Sequence, residues 1–374
     1  MGVTVKQVVD VMEGIAPSYL SEKWDNTGLL IGGMQDVVRK IMVCLDVTDS
    51  VVNEAIQNGV DMLISHHPII FEALKNLRSD DGKGRLLHLI IKNNIAVYCA
   101  HTNLDKAPGG VDDVLAARLG LENIEPLTTE EDEKLYKIAV YIPKGHEDSV
   151  MNAMAEAGAG MVRNYSHCTF QTRGIGTFLP LEGTKPYIGQ QGRIERVDEV
   201  RLETIARKRD LEDIVKAMLN VHPYEEVAYD IYPLANRIGK QGLGRIGTLR
   251  HETPFGEFAK QVCRTLGIPS VLVAGRIDRK VRVVASCAGS GASLISKAYA
   301  KGAHVFVTGE MKYHDACDVE SMGMAAIVAG HYATEFLIVD ELIRRLQKAF
   351  DDLQYEVEVL KALTMADPYT IIGE

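Results

Sequence analysis

The chain has 374 residues, 46% of them hydrophobic and 25% charged, with a formal net charge of −10 and a pI near 5.6. This is the composition of a globular protein with enough apolar material for two domains and no need of disulfides, and it excludes a disordered polyelectrolyte. The acidic balance argues against a nucleic-acid scaffold, which needs a basic face.

In chain order, Thr4 caps a predicted helix through Glu13, with Val5, Val8, Val9, Met12 and Ile15 on one face. Ile41 to Val47 reads as a strand, Val51 to Gln57 as a helix closed by Gly59, and Met62 to Ser65 as a strand. Arg85 to Asn93 is helical, Ile95 to Ala100 a strand, and Val111 to Leu119 a helix ending at Gly120. Alternating strands and helices predict a mostly parallel sheet with flanking helices. Near Pro126 the pattern changes, and the acidic run 128–133 reads as a solvated linker. Leu135 to Ile142 (strand), Glu147 to Glu156 (helix), Cys168 to Leu179 and Val197 to Ala206 (extended), Leu211 to Leu219 (helix) and Glu226 to Ile231 (strand) follow. That β-α-β-β-α-β order predicts a ferredoxin-like α+β insert, with Gly239, Gly242 and Gly244 in an exit linker over 236–244. The α/β style then resumes with a helix over Phe255 to Leu266, a strand over Val281 to Ala285, a helix over Leu294 to Ala300, strands over His304 to Val307 and Met324 to Ala329, and a helix bearing Phe336, Val339, Ile343, Leu346 and Phe350. The expected domains are therefore 1–126 with 238–374, one discontinuous α/β domain, and 127–237, the insert.

Six cysteines (Cys44, Cys99, Cys168, Cys263, Cys287 and Cys317) form no C-x-x-C pair, and buried thiols in a reducing cytosol are expected. No basic-then-apolar leader is visible and no apolar stretch is long enough to span a bilayer, so the expectation is a soluble cytoplasmic protein.

Three of the predicted strands end in metal-ligating side chains. His66-His67-Pro68 follows the strand at 62–65, His101-Thr102-Asn103-Leu104-Asp105 the strand at 95–100, and His331-Tyr332-Ala333-Thr334-Glu335 the strand at 324–329. Ligands of open parallel sheets bind at the carboxyl ends of strands, so these groups are expected to converge on one metal site. Each has a plainer reading: a His-His-Pro is a polar turn, a lone Asp a cap, a Glu in a first turn an answer to the helix dipole. It is the recurrence at strand ends of one predicted sheet that favours metal. Successive side chains on extended backbone point apart, so His66 and His67 are expected to reach different ions. His331 and Glu335, four apart, share a helix face if the helix begins near His331. His66, His67, Asp105, His331 and Glu335 are the predicted ligands, with Glu335 as the bridge, because a carboxylate has two oxygens. Mixed nitrogen and oxygen donors suit zinc, iron, manganese or nickel, with zinc the leading expectation. His101, Glu310 and His314 are candidates to move protons or to orient ligands.

Ser65-His66-His67-Pro68, His101 to Asp105, Thr308 to Asp315 and Gly330 to Glu335, together with Trp24-Asp25-Asn26-Thr27-Gly28-Leu29, resemble the motifs of the NIF-three-like family, whose members are called GTP cyclohydrolase I type 2 homologs. The resemblance covers both outer segments. It implies a pair of divalent metals at His66, His67, Asp105, His331 and Glu335, and a toroidal homo-oligomer, typically a hexamer. The middle segment is similar to the PII-like or CutA-like insert of the longer members.

Other stretches carry weaker signals. Gly289-Ser290-Gly291 is a turn that can face the metals. His222-Pro223-Tyr224-Glu225-Glu226 can in principle chelate, but a Pro-initiated turn into a strand explains it more simply. Two functions remain open: a metal-dependent hydrolase acting on a small anionic or nucleotide-like substrate, and a non-catalytic assembly that stores, delivers or senses metal. Fold analogy does not choose between them.

Overall fold

The computed structural model describes residues 2–128, 134–162, 165–236 and 241–372. The chain forms two compact units, Met1–Thr129 with Lys240–Glu374, and Glu130–Gly239. Most of the acidic stretch expected as a linker (129–133), and 237–240 of the expected exit linker, lie outside the described residues. The expected boundary at Pro126 falls inside the first unit, because Glu122–Pro126 is a strand paired with Arg245–Pro254. Just beyond it, the Thr128 amide donates to the Leu243 carbonyl and the Leu243 amide to Thr128 Oγ1, at 3.0 and 2.7 Å.

The first unit contains two large mixed sheets. One runs in the order Glu358–Lys361, Lys40–Cys44, Met62–Ser65, Ala96–Cys99, Gly28–Ile31, parallel except for its last pairing. The other runs Leu272–Ala274, Ala325–Val328, Val305–Thr308, Lys280–Cys287, Arg245–Pro254, Glu122–Pro126, with a parallel centre and antiparallel pairings outside it. The single parallel sheet read from the pattern is thus two sheets with parallel centres. Of the strands missing from that reading in these two sheets, Gly28–Ile31, Glu122–Pro126, Leu272–Ala274 and Glu358–Lys361 are edge strands, whereas Arg245–Pro254, also missed, is an inner strand between Lys280–Cys287 and Glu122–Pro126. Half-exposed edges lack the unbroken apolar run by which buried strands are recognised.

The central strands are buried on both faces, and alternate residues serve different cores. Met42, Cys44, Leu63 and Val97 pack under Val51, Val52 and Ala55 of helix Asp49–Gln57 and under Leu86 and Ile90 of helix Gly82–Lys92. Those helices are started by Thr48 Oγ1, which accepts from the Val51 amide, and by the Asp81 carboxylate, which accepts from Gly84. The intervening residues Ile41, Val43, Ile64 and Tyr98 enter a second core. This core also holds Val284, Val305, Val307 and Ile327 of the other sheet, Leu115 of helix Val111–Arg118, and Leu342, Leu346 and Phe350 of helix Leu337–Asp352. Each such fully buried aliphatic side chain contributes about 1.5–3 kcal/mol. One apolar layer therefore locks the two sheets together and fixes their carboxyl ends with respect to each other.

The second unit runs Leu135–Pro143, helix Glu147–Glu156, Thr169–Phe178, Glu195–Arg207, helix Leu211–Val221, Tyr229–Pro233. Its four strands are all antiparallel, in the order 229–233, 135–143, 195–207, 169–178. Ile138, Val140, Ile142 and Leu202 pack against Val150, Met154, Ile214 and Met218 of its two helices.

All six cysteines are free. Cys44, Cys99 and Cys287 are buried as expected, whereas Cys168 and Cys263 are half-buried and Cys317 is exposed on helix Tyr313–Ser321, which corrects the expectation that all are interior. No described helix is long and apolar enough to cross a membrane.

Candidate metal centre

The two sheets deliver the predicted residues to one place. His66 and His67 follow the strand Met62–Ser65, and the neighbouring strand Ala96–Cys99 leads through His101 into the short helix Thr102–Lys106, which carries Asp105. From the other sheet, Ala325–Val328 leads into the helix His331–Glu335. His67 Nε2 lies 2.9 Å and His331 Nε2 3.0 Å from Glu335 Oε2. His66 Nε2 lies 3.9 Å from the other oxygen, Glu335 Oε1, and 3.5 Å from Asp105 Oδ1. The rings of His66 and His67 are 5.0 Å apart, those of His67 and His331 5.3 Å. His66, His67 and His101 form one group able to hold a metal ion, and His67, His331 and Glu335 another.

The imidazoles are aimed by their outer nitrogens. His66 Nδ1 meets the Ala100 carbonyl at 2.8 Å, His67 Nδ1 meets Asp46 Oδ1 at 2.8 Å, and His101 Nδ1 meets Asp25 Oδ1 at 2.8 Å. His331 Nδ1 is 3.2 Å from Glu310 Oε1. Holding the outer nitrogen on a carbonyl or carboxylate fixes both the tautomer and the direction of the inner one, as at metal-ligating histidines generally. Glu310, predicted to move protons, thus stands behind His331. His101, predicted to stand outside the ligands, brings its ring to 5.3 Å from His66 and 5.6 Å from His67. His314 is exposed, its ring edge-on to Tyr313 at 5.4 Å, and it makes no described contact with the cluster.

Charge and burial conflict inside the cluster. Burial pushes His66 down to about 3, so its ring is neutral. With Nδ1–H donating to Ala100, Nε2 presents a lone pair. That nitrogen and Asp105 Oδ1 are both buried and neither has a hydrogen-bond partner. Burial, then the nearby Asp112 and Glu335, hold Asp105 well above the usual carboxylate range. Burial opposes ionisation of Glu335 too, but the close contacts of His331 and His67 with its carboxylate hold it far below that range. His67 loses some basicity to burial, yet Asp46 and Glu335 raise it to about 10. Two buried, unpartnered polar atoms 3.5 Å apart, beside a deeply buried carboxylate, are a donor set that suits a cation.

The cluster opens into a cavity of about 660 Å³ that Trp24, Phe71, Cys287, Ser290 and Ser293 also line. Trp24 and Phe71 meet edge-on at 5.9 Å. The Gly289-Ser290-Gly291 turn borders this cavity, but its glycine amides are engaged, Gly289 donating to Thr334 Oγ1 at 3.1 Å and Gly291 to Thr308 Oγ1 at 3.0 Å. Gly289 has φ +56, and a Cβ there would overlap Glu335 Oε1. Sequence reasoning missed the parts played by Asp25 and Asp46. Asp46 lies two residues beyond the strand Lys40–Cys44, so the strand-end rule that found His66 would also have found it.

The sequence model of Duf34/NIF3 (NGG1p interacting factor 3) matches residues 3–368. The chain belongs to the DUF34/NIF3 family. It is 41% identical over 365 residues to a protein of Halalkalibacterium halodurans and 42% identical over 367 residues to one of Bacillus subtilis, with 98% of each chain covered; both are called GTP cyclohydrolase 1 type 2 homolog. A crystal structure of a Bacillus cereus protein related to NIF3, 41% identical, superposes over the whole of both chains with a TM-score of 0.78. The family match embraces both units, so the segment 130–239 lies within the DUF34/NIF3 match.

Proposed function

We propose that this DUF34/NIF3 protein is a dinuclear metal-dependent hydrolase of a small anionic or nucleotide-like substrate. The observation that carries the reading is the buried pair His66 Nε2 and Asp105 Oδ1, two unpartnered polar atoms 3.5 Å apart beside Glu335. His66, His67, Asp105, His331 and Glu335 would hold the two ions, zinc first, with iron, manganese or nickel as the other candidates. His67 and His331 approach one oxygen of Glu335 and His66 the other, which supports Glu335 as the bridge. A pair of divalent ions supplies Lewis acidity and brings the pKa of water towards about 7.

The chain's own groups do the rest. Asp46 and Glu310 keep His67 and His331 turned inward, as the Ala100 carbonyl does for His66. His101, steadied by Asp25, has its Nε2 free to act as a sixth donor or to carry a proton to the leaving group. Trp24 and Phe71 offer aromatic surface to a planar base at the cavity. The name shared by the relatives, GTP cyclohydrolase 1 type 2 homolog, fits a nucleotide as that substrate. The β-α-β-β-α-β order and the antiparallel sheet of the second unit support reading it as a ferredoxin-like insert of the PII or CutA kind. A cytoplasmic homohexamer completes the proposal.

The test is elemental analysis and a metal-edge anomalous map of crystals, followed by turnover of a panel of nucleotides and phosphoesters by the fully loaded protein. Two ions on the five named residues and turnover of at least one substrate are expected. If Glu335→Ala strips the ions and every turnover survives, the hydrolase reading fails.

A further inference from the structure

The second unit holds a cavity of its own, about 420 Å³, between the end of strand Thr169–Phe178 and the turn at 222–226. Phe178, Tyr187 and Tyr224 line it, with the Tyr224 ring 6.1 Å from Phe178 and 6.3 Å from Tyr187. Glu199, Glu225 and Glu226 border the same space, Glu225 accepting from the Lys185 backbone amide at 2.8 Å, and no Lys, Arg or His is among its lining residues.

The wall is built rather than incidental. His222 donates through Nε2 to the Tyr141 carbonyl at 3.0 Å and accepts through Nδ1 from the Tyr224 amide at 3.1 Å. Both ring nitrogens are spent on backbone, and burial keeps the ring neutral. The His-Pro-Tyr-Glu-Glu segment therefore does not chelate through His222; it fixes Tyr224. The Tyr224 hydroxyl donates to Glu199 Oε1 at 2.9 Å. Burial, then Glu199, push the phenol's pKa up, so it remains a donor. The second oxygen, Glu199 Oε2, lies over Gly176, in space a Cβ at that position would fill.

We propose that this cavity binds a small organic cation, an ammonium group carried on an apolar body. Aromatic faces attract such a cation through their quadrupoles. The carboxylates add charge that no basic lining group offsets, and the volume is within the range of small-molecule pockets, about 300–1,000 Å³. The proposal is independent of the metal cluster: neither its residues nor its test involves that site.

The experiment uses the full chain as purified. Choline is compared with its uncharged tert-butyl analogue, and benzylammonium with benzyl alcohol, by saturation-transfer NMR and calorimetry. At least one cation should bind about tenfold more tightly than its neutral partner. Glu199→Gln should remove about tenfold of the cation's affinity and leave the neutral partner's unchanged, and Gly176→Ala, whose methyl would overlap the Glu199 carboxylate, should act in the same direction. Tyr187→Leu, at a more exposed wall, should weaken cations with far-ultraviolet circular dichroism unchanged, and metal content should be unaffected in all three variants. Neither cation binding better than its neutral partner would overturn the proposal, as would a preference that Glu199→Gln and Tyr187→Leu leave intact.

Discussion

Replacing Gly289 by alanine separates two effects that are usually confounded at a glycine. The residue has φ +56, where an L side chain costs about 1–2 kcal/mol. Gly267, which closes helix Phe255–Leu266 at φ +70, has nothing within 4 Å of where its Cβ would be, so Gly267→Ala carries the backbone cost alone. At 289 the new methyl would overlap Glu335 Oε1 and come within 3.2 Å of His331 Nε2. Glu335 is only 5% exposed, so its carboxylate cannot swing into solvent and must leave the position it shares with His67 and His331. Disturbing a group that merely orients a ligand costs 10–100-fold in metal affinity, about 1.4–2.8 kcal/mol, and displacing the proposed bridge should cost at least that. The assay is metal content after dialysis against a graded chelator, with urea midpoints measured in parallel. In the metal-free state Gly289→Ala should lose at least as much stability as Gly267→Ala, and only Gly289→Ala should lose metal. Full metal content in Gly289→Ala, or equal loss in Gly267→Ala, would refute the placement of Glu335 at the centre.

Three further outcomes follow from the same geometry. Asp46→Asn weakens the hold on His67 Nδ1 without touching the cavity, and should lower metal affinity by about tenfold or more in chelator competition while the melting temperature of the metal-free protein stays within a degree or so. Arg245 is buried and donates to Asp113 and to the carbonyls of Gly242 and Gly244, so Arg245→Ala leaves carboxylates without their cation and should cost about 3–5 kcal/mol in a denaturant titration. Glu54 accepts from the amides of Leu363 and Thr364 and from the Thr364 hydroxyl; burial opposes its ionisation, but these donors hold its pKa below the usual value. A depressed carboxylate stabilises above its unfolded pKa and loses that contribution as pH falls through its folded one. Amide-exchange protection at residues 363 and 364 should therefore fall on acidification relative to neutral pH, and Glu54→Gln should abolish that dependence.

The sequence revealed whatever was written as an uninterrupted local pattern. Met62–Ser65 and Ala96–Cys99 are buried on both faces, so they read as apolar runs, and the polar groups that terminate them stand out. The same holds for the helix faces of Val5, Val8 and Met12 and of Val339, Leu346 and Phe350. What was not legible depends on partners distant in sequence. Glu358–Lys361 is a strand because Lys40–Cys44 offers it an open edge, and nothing in its four residues announces this. Gly28–Ile31 went unread for the same reason, its partner Ala96–Cys99 being distant in sequence. Asp25 reaches His101 across a separation of 76 residues and Asp46 reaches His67 across 21, whereas His331 and Glu335 share a helix and could be paired by counting.

That division bears on why the cluster can be held so rigidly. Each inner nitrogen is aimed by a group on the outer nitrogen of the same ring, and those groups come from separate segments: the Ala100 carbonyl, Asp46, Asp25 and Glu310. The two halves are joined by Glu335, whose oxygens face imidazoles from both sheets. Behind them, the shared layer of Val43, Ile64, Val305, Ile327 and Leu342 fixes one sheet against the other. Opening a cavity in that layer costs about 2–5 kcal/mol for a large aliphatic cut to alanine, and because the sheets carry opposite halves of the donor set, the loss should also appear as weaker metal binding. A Leu342→Ala protein that is destabilised yet binds metal with unchanged affinity would show that each half holds its ions alone, contrary to a bridge at Glu335.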